Sequence, residues 1–462
     1  MSTDFQSLPL HDSLLTNLDS LNYKVMTEIQ AQSLPAMLNG QDVIAQAKTG
    51  SGKTAAFGLA LLHKLKVKQF RVQSLVLCPT RELADQVAKE IRRLARSIHN
   101  IKVLTLCGGM PFGPQIGSLE HGAHIVVGTP GRIEEHCRKG TLRLEHVTTF
   151  VLDEADRMLD MGFQPSLDAI VDYLPRQQRQ TLLFSATFPD HIESISQRIM
   201  SSPIRVSVAA THDNVSIEQK FFELDERLSR VSALQLLLLE YRPSAAVVFC
   251  NTKRETQDIA DELSRMGFSA LALHGDMEQK MRDQTLVRFA NKSASILVAT
   301  DVAARGLDID ELDAVFNYQL SRETDVHIHR IGRTGRAGAK GIAFTLYSPK
   351  ERYKIEALEK HLSKTIVASS LPASTVLDTP TYKPPMATLQ IDGGKRQKVR
   401  PGDILGALTS NDGLSGSDVG KIHIFDHCAY VAVRRSELKT ALYKIEQGKL
   451  KGRSFRVRHI RG

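Results

Sequence analysis

The sequence predicts an α/β protein: two tandem parallel-sheet domains followed by a small α+β domain of order βαββαβ. Three observations carry this. Short apolar runs alternate with longer amphipathic stretches from residue 40 to about residue 350, in two sets with a junction near residues 209–216, as expected of buried strands covered by helices on both faces of a parallel sheet. The length, 462 residues, is too great for a single core, because domains are typically about 100–200 residues. Beyond a proline-rich segment the pattern changes to a different order of strands and helices.

In the first set, residues 42–45, 74–78, 101–106, 124–127, 149–152 and 181–184 read as buried strands. Residues 81–96, with apolar positions three and four apart, read as one of the intervening helices. A second set of strands falls at residues 245–249, 270–273, 295–299, 314–317 and 341–345. Residues 371–385 hold Pro372, Pro380, Pro384 and Pro385 among small polar residues, the composition of an extended linker. Strands are then expected at 387–391, 422–425, 430–433 and 455–460, and helices at 403–407 and 437–446. That order is the ferredoxin-like arrangement used by RNA-recognition domains. The expected domains are residues 1–209, 216–370 and 386–462, with the linker at 371–385.

Hydrophobic residues make up 42% of the chain, and no stretch approaches the ~18–20 consecutive apolar residues of a membrane span. The N-terminus, Met1-Ser2-Thr3-Asp4-Phe5, lacks a basic segment followed by an apolar one, so a cytoplasmic protein without a signal peptide is expected. Cys78, Cys107, Cys137, Cys250 and Cys428 form no C-x-x-C pair and have no histidine at zinc-finger spacing; reduced, mostly buried thiols are expected. The net charge is +9, and residues 386–462 hold 15 Lys and Arg against seven Asp and Glu, leaving +1 for everything before them. So local an excess suits a polyanion-binding module.

Ala47-Lys48-Thr49-Gly50-Ser51-Gly52-Lys53-Thr54 follows the first strand and opens an apolar helical stretch. The glycines let backbone N–H groups wrap a phosphate, Lys53 would reach the β/γ-phosphates, and the Thr54 hydroxyl would hold Mg²⁺. Ala47 stands where the usual pattern has glycine. Asp153-Glu154-Ala155-Asp156 lies 100 residues after Lys53, directly behind the strand ending at Leu152. A carboxylate there completes the Mg²⁺ shell while the next orients the attacking water. Together the two motifs describe a nucleotide hydrolase.

From Phe5 to about residue 350 these motifs, in this order, resemble a DEAD-box helicase, whose motor is a pair of RecA-like domains using ATP and Mg²⁺. Phe5 and the run from Tyr23 to Gln30 resemble the family's adenine-reading element, with Gln30 bidentate to the purine edge; Asn22 replaces the usual glycine. The resemblance implies Asp153 as the Mg²⁺ ligand with Thr54, and Glu154 as the water-orienting base. Ser185-Ala186-Thr187, with Asp156 and His329, would couple hydrolysis to strand separation. Arg330, Arg333 and Arg336 fall in the family's last motif; Arg333 and Arg336 are the candidate arginine fingers, and Asp308 the expected ribose contact. Pro79-Thr80-Arg81, Gly108-Gly109 and Thr129-Pro130-Gly131-Arg132 match RNA-facing motifs of the first domain; Gln279, Arg282, Thr300 and Asp301 match those of the second. N–H groups, hydroxyls and a few cations suit sugar-phosphate contacts with little base reading.

The C-terminal region resembles the domain carried by DbpA-type members, on residues 391–395, 400–408 and 419–422. This implies an ATP-dependent RNA helicase acting on large-subunit (23S) ribosomal RNA in pre-ribosomal particles during ribosome assembly, as a monomer and without DNA or membrane partners. Lys395, Arg396, Lys398, Lys421, Lys449, Lys451 and Arg453 are its candidate RNA contacts. Against the usual RNA-recognition signature, Tyr430 is the one aromatic, with Cys428, Val433 and Gln390 where rings are expected. Charge without stacking favours a structured hairpin over a single strand. An ATP-gated RNA clamp with little unwinding is the rival expectation; a processive DNA helicase is disfavoured.

Overall fold

Strands buried on both faces are mostly apolar along their length, and the computed structural model shows where that rule applies. It describes residues 3–47, 50–188, 190–208, 217–225, 228–304, 312–321, 323–335, 341–410 and 413–460. Lys48, Thr49, Asp308 and Arg336 therefore lie outside the described residues. The chain divides into two units, Met1–Thr211 and His212–Gly462.

The first unit holds a parallel sheet of β1 (Val43–Gln46), β2 (Ser74–Leu77), β3 (Val103–Leu106), β4 (Ile125–Gly128), β5 (Thr149–Leu152), β6 (Gln180–Ser185) and β7 (Ile204–Ser207). Their order is β3-β4-β2-β5-β6-β1-β7. β2, β4, β5 and β6 are buried at every position. Successive side chains point to opposite faces: Val76, Val151 and Leu182 join the core cluster under one helical layer, while Leu75, Phe150 and Leu183 join the cluster under the other. β7, at the sheet edge, has one buried residue in four, so no apolar run announces it.

In the second unit, β8 (Ile217–Glu223), β9 (Ala246–Cys250), β10 (Ala270–Leu273), β11 (Ile296–Thr300), β12 (Ala314–Asn317) and β13 (Gly341–Tyr347) form a second parallel sheet of order β10-β11-β9-β12-β13-β8. β8 is again an edge strand of mixed polarity, absent from the sequence expectation.

Residues 371–385 carry no long helix or strand, yet they are not the free extended linker expected from composition. Leu371, Val376 and Tyr382 pack against the second core. Arg242 donates to Pro380 O at 3.1 Å and lies over the Tyr382 ring at 5.3 Å, and Lys383 donates to Gly267 O at 3.1 Å. Proline fixes the chain's φ without supplying a helix, so composition reads as a linker while the side chains between the prolines bind the segment down as a strap.

Beyond the strap, β14 (Met386–Ile391), β15 (Val419–Ile424), β16 (Ala429–Arg434) and β17 (Val457–His459) make an antiparallel sheet of order β15-β16-β14-β17. With the helices Pro401–Thr409 and Leu438–Gln447 this is the βαββαβ order. Ala387, Leu389, Ile391, Val431 and Val433 form the domain core. Val433 therefore points inward, and its lack of a ring takes nothing from the outer face, a correction to the alignment above. Thr388, Gln390 and Tyr430 occupy that outer face, with Gln390 paired to Tyr430 across the ladder, yet their exposures are 0%, 4% and 2%.

Candidate functional site

In a parallel sheet every strand's carboxyl end emerges on one edge, where ligands bind. In the first unit that edge carries two sets of motifs side by side. β3, β4 and β2 lead into Gly108-Gly109, Thr129-Pro130 and Pro79-Thr80; β5, β6 and β1 lead into Asp153-Glu154, Ser185-Ala186-Thr187 and the glycine-rich loop. The sheet order separates the RNA-type motifs from the nucleotide-type motifs on adjacent strands.

Gly50 and Gly52 have φ of 85° and 94°, which only glycine adopts freely, and Gly52 caps the helix Lys53–Lys64. A Cβ at Gly52 would lie 2.6 Å from Gln30 Nε2. Lys53 is buried and donates to Ala47 O at 2.8 Å. Gln30 accepts from Thr27 N at 2.9 Å and donates to Gly52 O at 3.1 Å. Its amide thus ties the adenine-type element to the phosphate loop, and reading a purine edge requires exchanging these bonds. Phe5 is buried and meets Tyr23 edge-on at 6.2 Å. Asn22 has φ 62°, which explains asparagine in place of glycine, since it tolerates the left-handed region better than other side chains.

Asp153 and Glu154 are buried, and Glu154 sits at φ 53°, ψ 53° at the head of the helix Ala155–Asp160. A non-glycine residue held there is strained by about 1–3 kcal/mol, a cost that clusters at functional positions. Burial pushes the Asp153 carboxyl up to about 7, Lys53 pulling it down and Glu154 adding to the rise. Asp153 Oδ1 and Ser51 Oγ are buried without a hydrogen-bond partner among the described residues. So dry a carboxylate fits a cation. Mg²⁺ binds through one or two carboxylates plus phosphate oxygens and water, and the buried Asp153 carboxylate suits that share. Asp156 Oδ2 accepts from Ala186 N at 3.2 Å, Thr187 N at 2.9 Å and Thr187 Oγ1 at 2.9 Å. Burial raises the Asp156 carboxyl, and these bonds together with Arg157 outweigh it and hold the group below its ordinary range. The acidic motif and the Ser-Ala-Thr motif are thereby one hydrogen-bonded piece.

On the other half of the edge, Thr80 caps the helix Arg81–Leu94 through Leu83 N. The Arg81 guanidinium lies across Gly109, where a Cβ would fall 1.8 Å from Nη1, and Gly109 has φ 73°. Arg132 donates to Met110 O at 3.0 Å and lies over the Phe112 ring. Pro130 fills the first turn of the helix Pro130–Arg138, and Gly131 follows it with no neighbour within 4 Å of a built Cβ. Thus three separate motifs share one surface. Gly109→Ala should expel Arg81 and strain the turn, weakening RNA affinity roughly tenfold, ~1.4 kcal/mol, with nucleotide affinity unchanged. Unaltered RNA affinity, measured by anisotropy with a saturating non-hydrolysable nucleotide, would show that the Arg81–Gly109 contact plays no part.

In the second unit Arg330 is 2% exposed and forms a bidentate pair with Asp301, at 2.6 Å and 2.8 Å. It also donates to Gln319 O and Asn251 Oδ1 and lies over the Phe249 ring. Arg330 is an internal hub, and it engages the Asp301 carboxylate, which stays partly exposed. Arg333, just beyond the helix Thr324–Ile331, is buried, with its N–H donating to Arg330 O; His329 is half-buried on that helix. Gln279 and Arg282 stand in the first turn of the helix Gln279–Ala290, bonded to Asp283 and His274 O.

Residues 27–195 match the DEAD/DEAH box helicase family, 229–338 the helicase conserved C-terminal domain, and 388–459 the DbpA RNA binding domain. The ATP-dependent RNA helicase DbpA of Escherichia coli (strain K12) is 52% identical over 97% of this chain and 97% of its own. The chain belongs to the DEAD-box helicase family. It is a DbpA-like RNA helicase and RNA-dependent ATPase, and its cofactors are ATP and Mg²⁺. A more distant DEAD-box relative, CshA of Geobacillus kaustophilus (strain HTA426), is 44% identical over 78% of this chain and 76% of its own. Among solved structures, S. cerevisiae Dbp5 bound to RNA and ADP BeF3 is similar with a TM-score of 0.71 and 29% identity, covering 79% of this chain and 95% of that one. Mss116p bound to ssRNA and AMP-PNP gives 0.72 and 26%, covering 83% of each.

In the C-terminal basic domain of the DEAD-box helicase the candidate contacts fall into two places. Lys395 N and Arg396 N donate to Phe425 O and Asp426 O, and Lys451 Nζ reaches Lys398 O at 2.9 Å. The turn of Lys395, Arg396 and Lys398 and the hairpin of Lys449, Lys451 and Arg453 are therefore neighbours at one end of the sheet. Lys398 and Lys451 both have positive φ, 59° and 52°. Lys421 stands apart on the edge strand β15. The sequence reading missed the cover over Thr388, Gln390 and Tyr430; their polar character on a buried face is the only signal it carried.

Proposed function

We propose that this DEAD-box helicase acts on large-subunit (23S) ribosomal RNA in pre-ribosomal particles during ribosome assembly, in the cytoplasm and as a monomer. Residues 386–462 hold a structured hairpin while the motor separates a short neighbouring duplex. The observation that carries this reading is the C-terminal domain itself. It matches the DbpA RNA binding domain over residues 388–459, gathers its cations at one loop end, and offers RNA no stacking face, since Gln390 and Tyr430 are buried. No helix among the described residues is long and apolar enough to cross a membrane.

In this reading Lys53 and the loop N–H groups hold the nucleotide phosphates, with Asp153 and Thr54 toward Mg²⁺. When bound, Mg²⁺ neutralises charge on the phosphate oxygens. Glu154 orients the attacking water, and Arg333 and Arg336 meet the charge that develops on the γ-phosphate. Asp156 transmits the change to Ser185-Ala186-Thr187 through the three bonds it already accepts. Gln30 with Phe5 selects adenine, and Asp308 contacts the ribose.

The test is ATPase stimulation of the full chain by a panel of large-subunit hairpins against unstructured strands of equal length, across a salt series. One hairpin should activate at far lower concentration than any strand, with affinity falling steeply as salt rises. Equal activation by an unstructured strand and by every hairpin would sink the proposal.

A further inference from the structure

Arg157 stands one residue beyond the acidic motif and is buried among the carboxylates that the proposed reaction uses, with 4% of its surface exposed. Its Nε lies 3.5 Å from Glu154 Oε2, and both side chains are 5% exposed. Its backbone N–H lies within hydrogen-bond reach of Asp156 Oδ1, at 3.0 Å, and of Glu154 O, at 3.1 Å. Its charge also acts on the Asp156 carboxyl: burial pushes that group up, and the Thr187 N–H, then Arg157, bring it down. One buried cation therefore serves both Glu154 and Asp156.

Stability alone does not account for it. Taking a guanidinium and a carboxylate out of water can cost as much as their attraction returns, and well-packed apolar residues of similar size often do as well. Orientation gives a reason for the charge. The backbone around Glu154 is pinned, since Asp153 N donates to Leu77 O at 3.0 Å and Glu154 O accepts from Met158 N at 3.2 Å. Its φ of 53° fixes the direction in which the side chain leaves. The side chain itself has several rotatable bonds, and a base works only where its oxygen reaches the proton it takes. Lys53 is committed elsewhere, its ammonium donating to Ala47 O at 2.8 Å, and in the reading above it serves the phosphates. Arg157 lies on the helix Ala155–Asp160 that Glu154 itself caps, so it stays with Glu154 whatever Lys53 does.

We propose that Arg157 is a positioning residue for hydrolysis, holding the Glu154 carboxylate in the orientation from which it acts on water. This rests on the assignment of Glu154 as the base. Arg157 exerts its effect through Glu154 and not on the nucleotide, so it governs the rate of the chemical step and leaves the binding of ATP and RNA alone.

The test compares the full-length parent with Arg157→Met, Arg157→Lys, Glu154→Gln, and the double variant Glu154→Gln with Arg157→Met. Steady-state hydrolysis at saturating RNA gives kcat and the KM for ATP. Single-turnover hydrolysis reads the slow variants, and RNA anisotropy with a non-hydrolysable ATP analogue reads binding. Arg157→Met should lower kcat roughly 10²-fold, the loss that a displacement of about 1 Å brings, with KM and RNA affinity unchanged. Arg157→Lys keeps a cation near Glu154 and should recover most of that loss. In the double variant the Arg157 substitution should cost nothing further, because it acts through a group already removed. A residue that only stabilises the fold would lower the midpoint of thermal unfolding and leave the kcat of the folded protein at the parent value. Parent-like kcat in Arg157→Met, no recovery with lysine, or losses that multiply in the double variant each overturn the proposal. If Arg157→Met does not unfold cooperatively, Arg157→Gln takes its place with the same expectations. Near-parent hydrolysis by Glu154→Gln refutes the base assignment instead, whatever the Arg157 variants show.

Discussion

Glu154→Gln stops steady-state ATP hydrolysis while RNA binding in the presence of ATP survives. The substitution keeps volume and keeps Asp153, the buried carboxylate with an unpartnered oxygen, so nucleotide and Mg²⁺ should still be held. On the proposed assignment, what disappears is the charge that would orient water and take its proton, an effect of ~10²–10⁴ in rate for a positioned general base. Glu154 also faces Arg157, with Nε 3.5 Å from its carboxylate and both side chains 5% exposed, so the variant will lose some stability. The readout must therefore separate folding from chemistry. Thermal unfolding of the variant in ATP and Mg²⁺ should remain cooperative, and RNA anisotropy with ATP should match the parent. Lys53→Ala is the contrast, because losing the loop's ammonium should weaken nucleotide binding itself. Near-parent turnover by Glu154→Gln would remove Glu154 from the role of base.

Arg333→Ala should lower turnover by ~10³–10⁵, the range of arginine fingers in phosphoryl transfer, with RNA affinity little changed. Arg333 is 6% exposed, so truncation also leaves a hole, and Arg333→Lys is needed beside it. Lysine keeps the charge but not the planar fork that engages phosphate at two points. A finger predicts a large loss in both variants at saturating RNA and ATP. A residue that only fills space or balances charge predicts recovery with lysine. Parent-like hydrolysis in both would exclude the assignment. Arg330, three residues earlier, is a different case: its guanidinium is already bonded to Asp301, Gln319 and Asn251, so it reports on folding rather than chemistry.

The central strands were legible because double burial forces continuous apolar runs, as in Leu75-Val76-Leu77 and Ala246 to Cys250. The edge strands β7 and β8 were not, since one side of each meets solvent and Ile204-Arg205-Val206-Ser207 looks like any amphipathic turn. The motor motifs could be read because each is contiguous: the phosphate loop and the acidic motif bring their own backbone geometry. The engagement of Asp301 by Arg330 spans 29 residues and gave no local sign. The strap and the hydrogen bonds at Thr388 were hidden for the same reason. Tyr382 reads as one aromatic in a proline-rich run, and nothing near Thr388 indicates that its partners are Asn291 and Ser293, 97 and 95 residues away.

The order of the elements along the chain bears on how the molecule is made. Strands β1–β7 all lie within residues 43–207, strands β8–β13 within 217–347, and strands β14–β17 within 386–459. Synthesis at ~5–20 residues per second releases these blocks in sequence, so each sheet is complete before the next begins to emerge. The polar face bearing Thr388, Gln390 and Tyr430 leaves the ribosome last, when its receiving surface at Asn291 and Ser293 is already folded. That face never has to wait in water for a partner still being translated. A circular permutation that moved residues 386–462 to the N-terminus would reverse the timing and leave the face uncovered while almost all of the motor was still to be made.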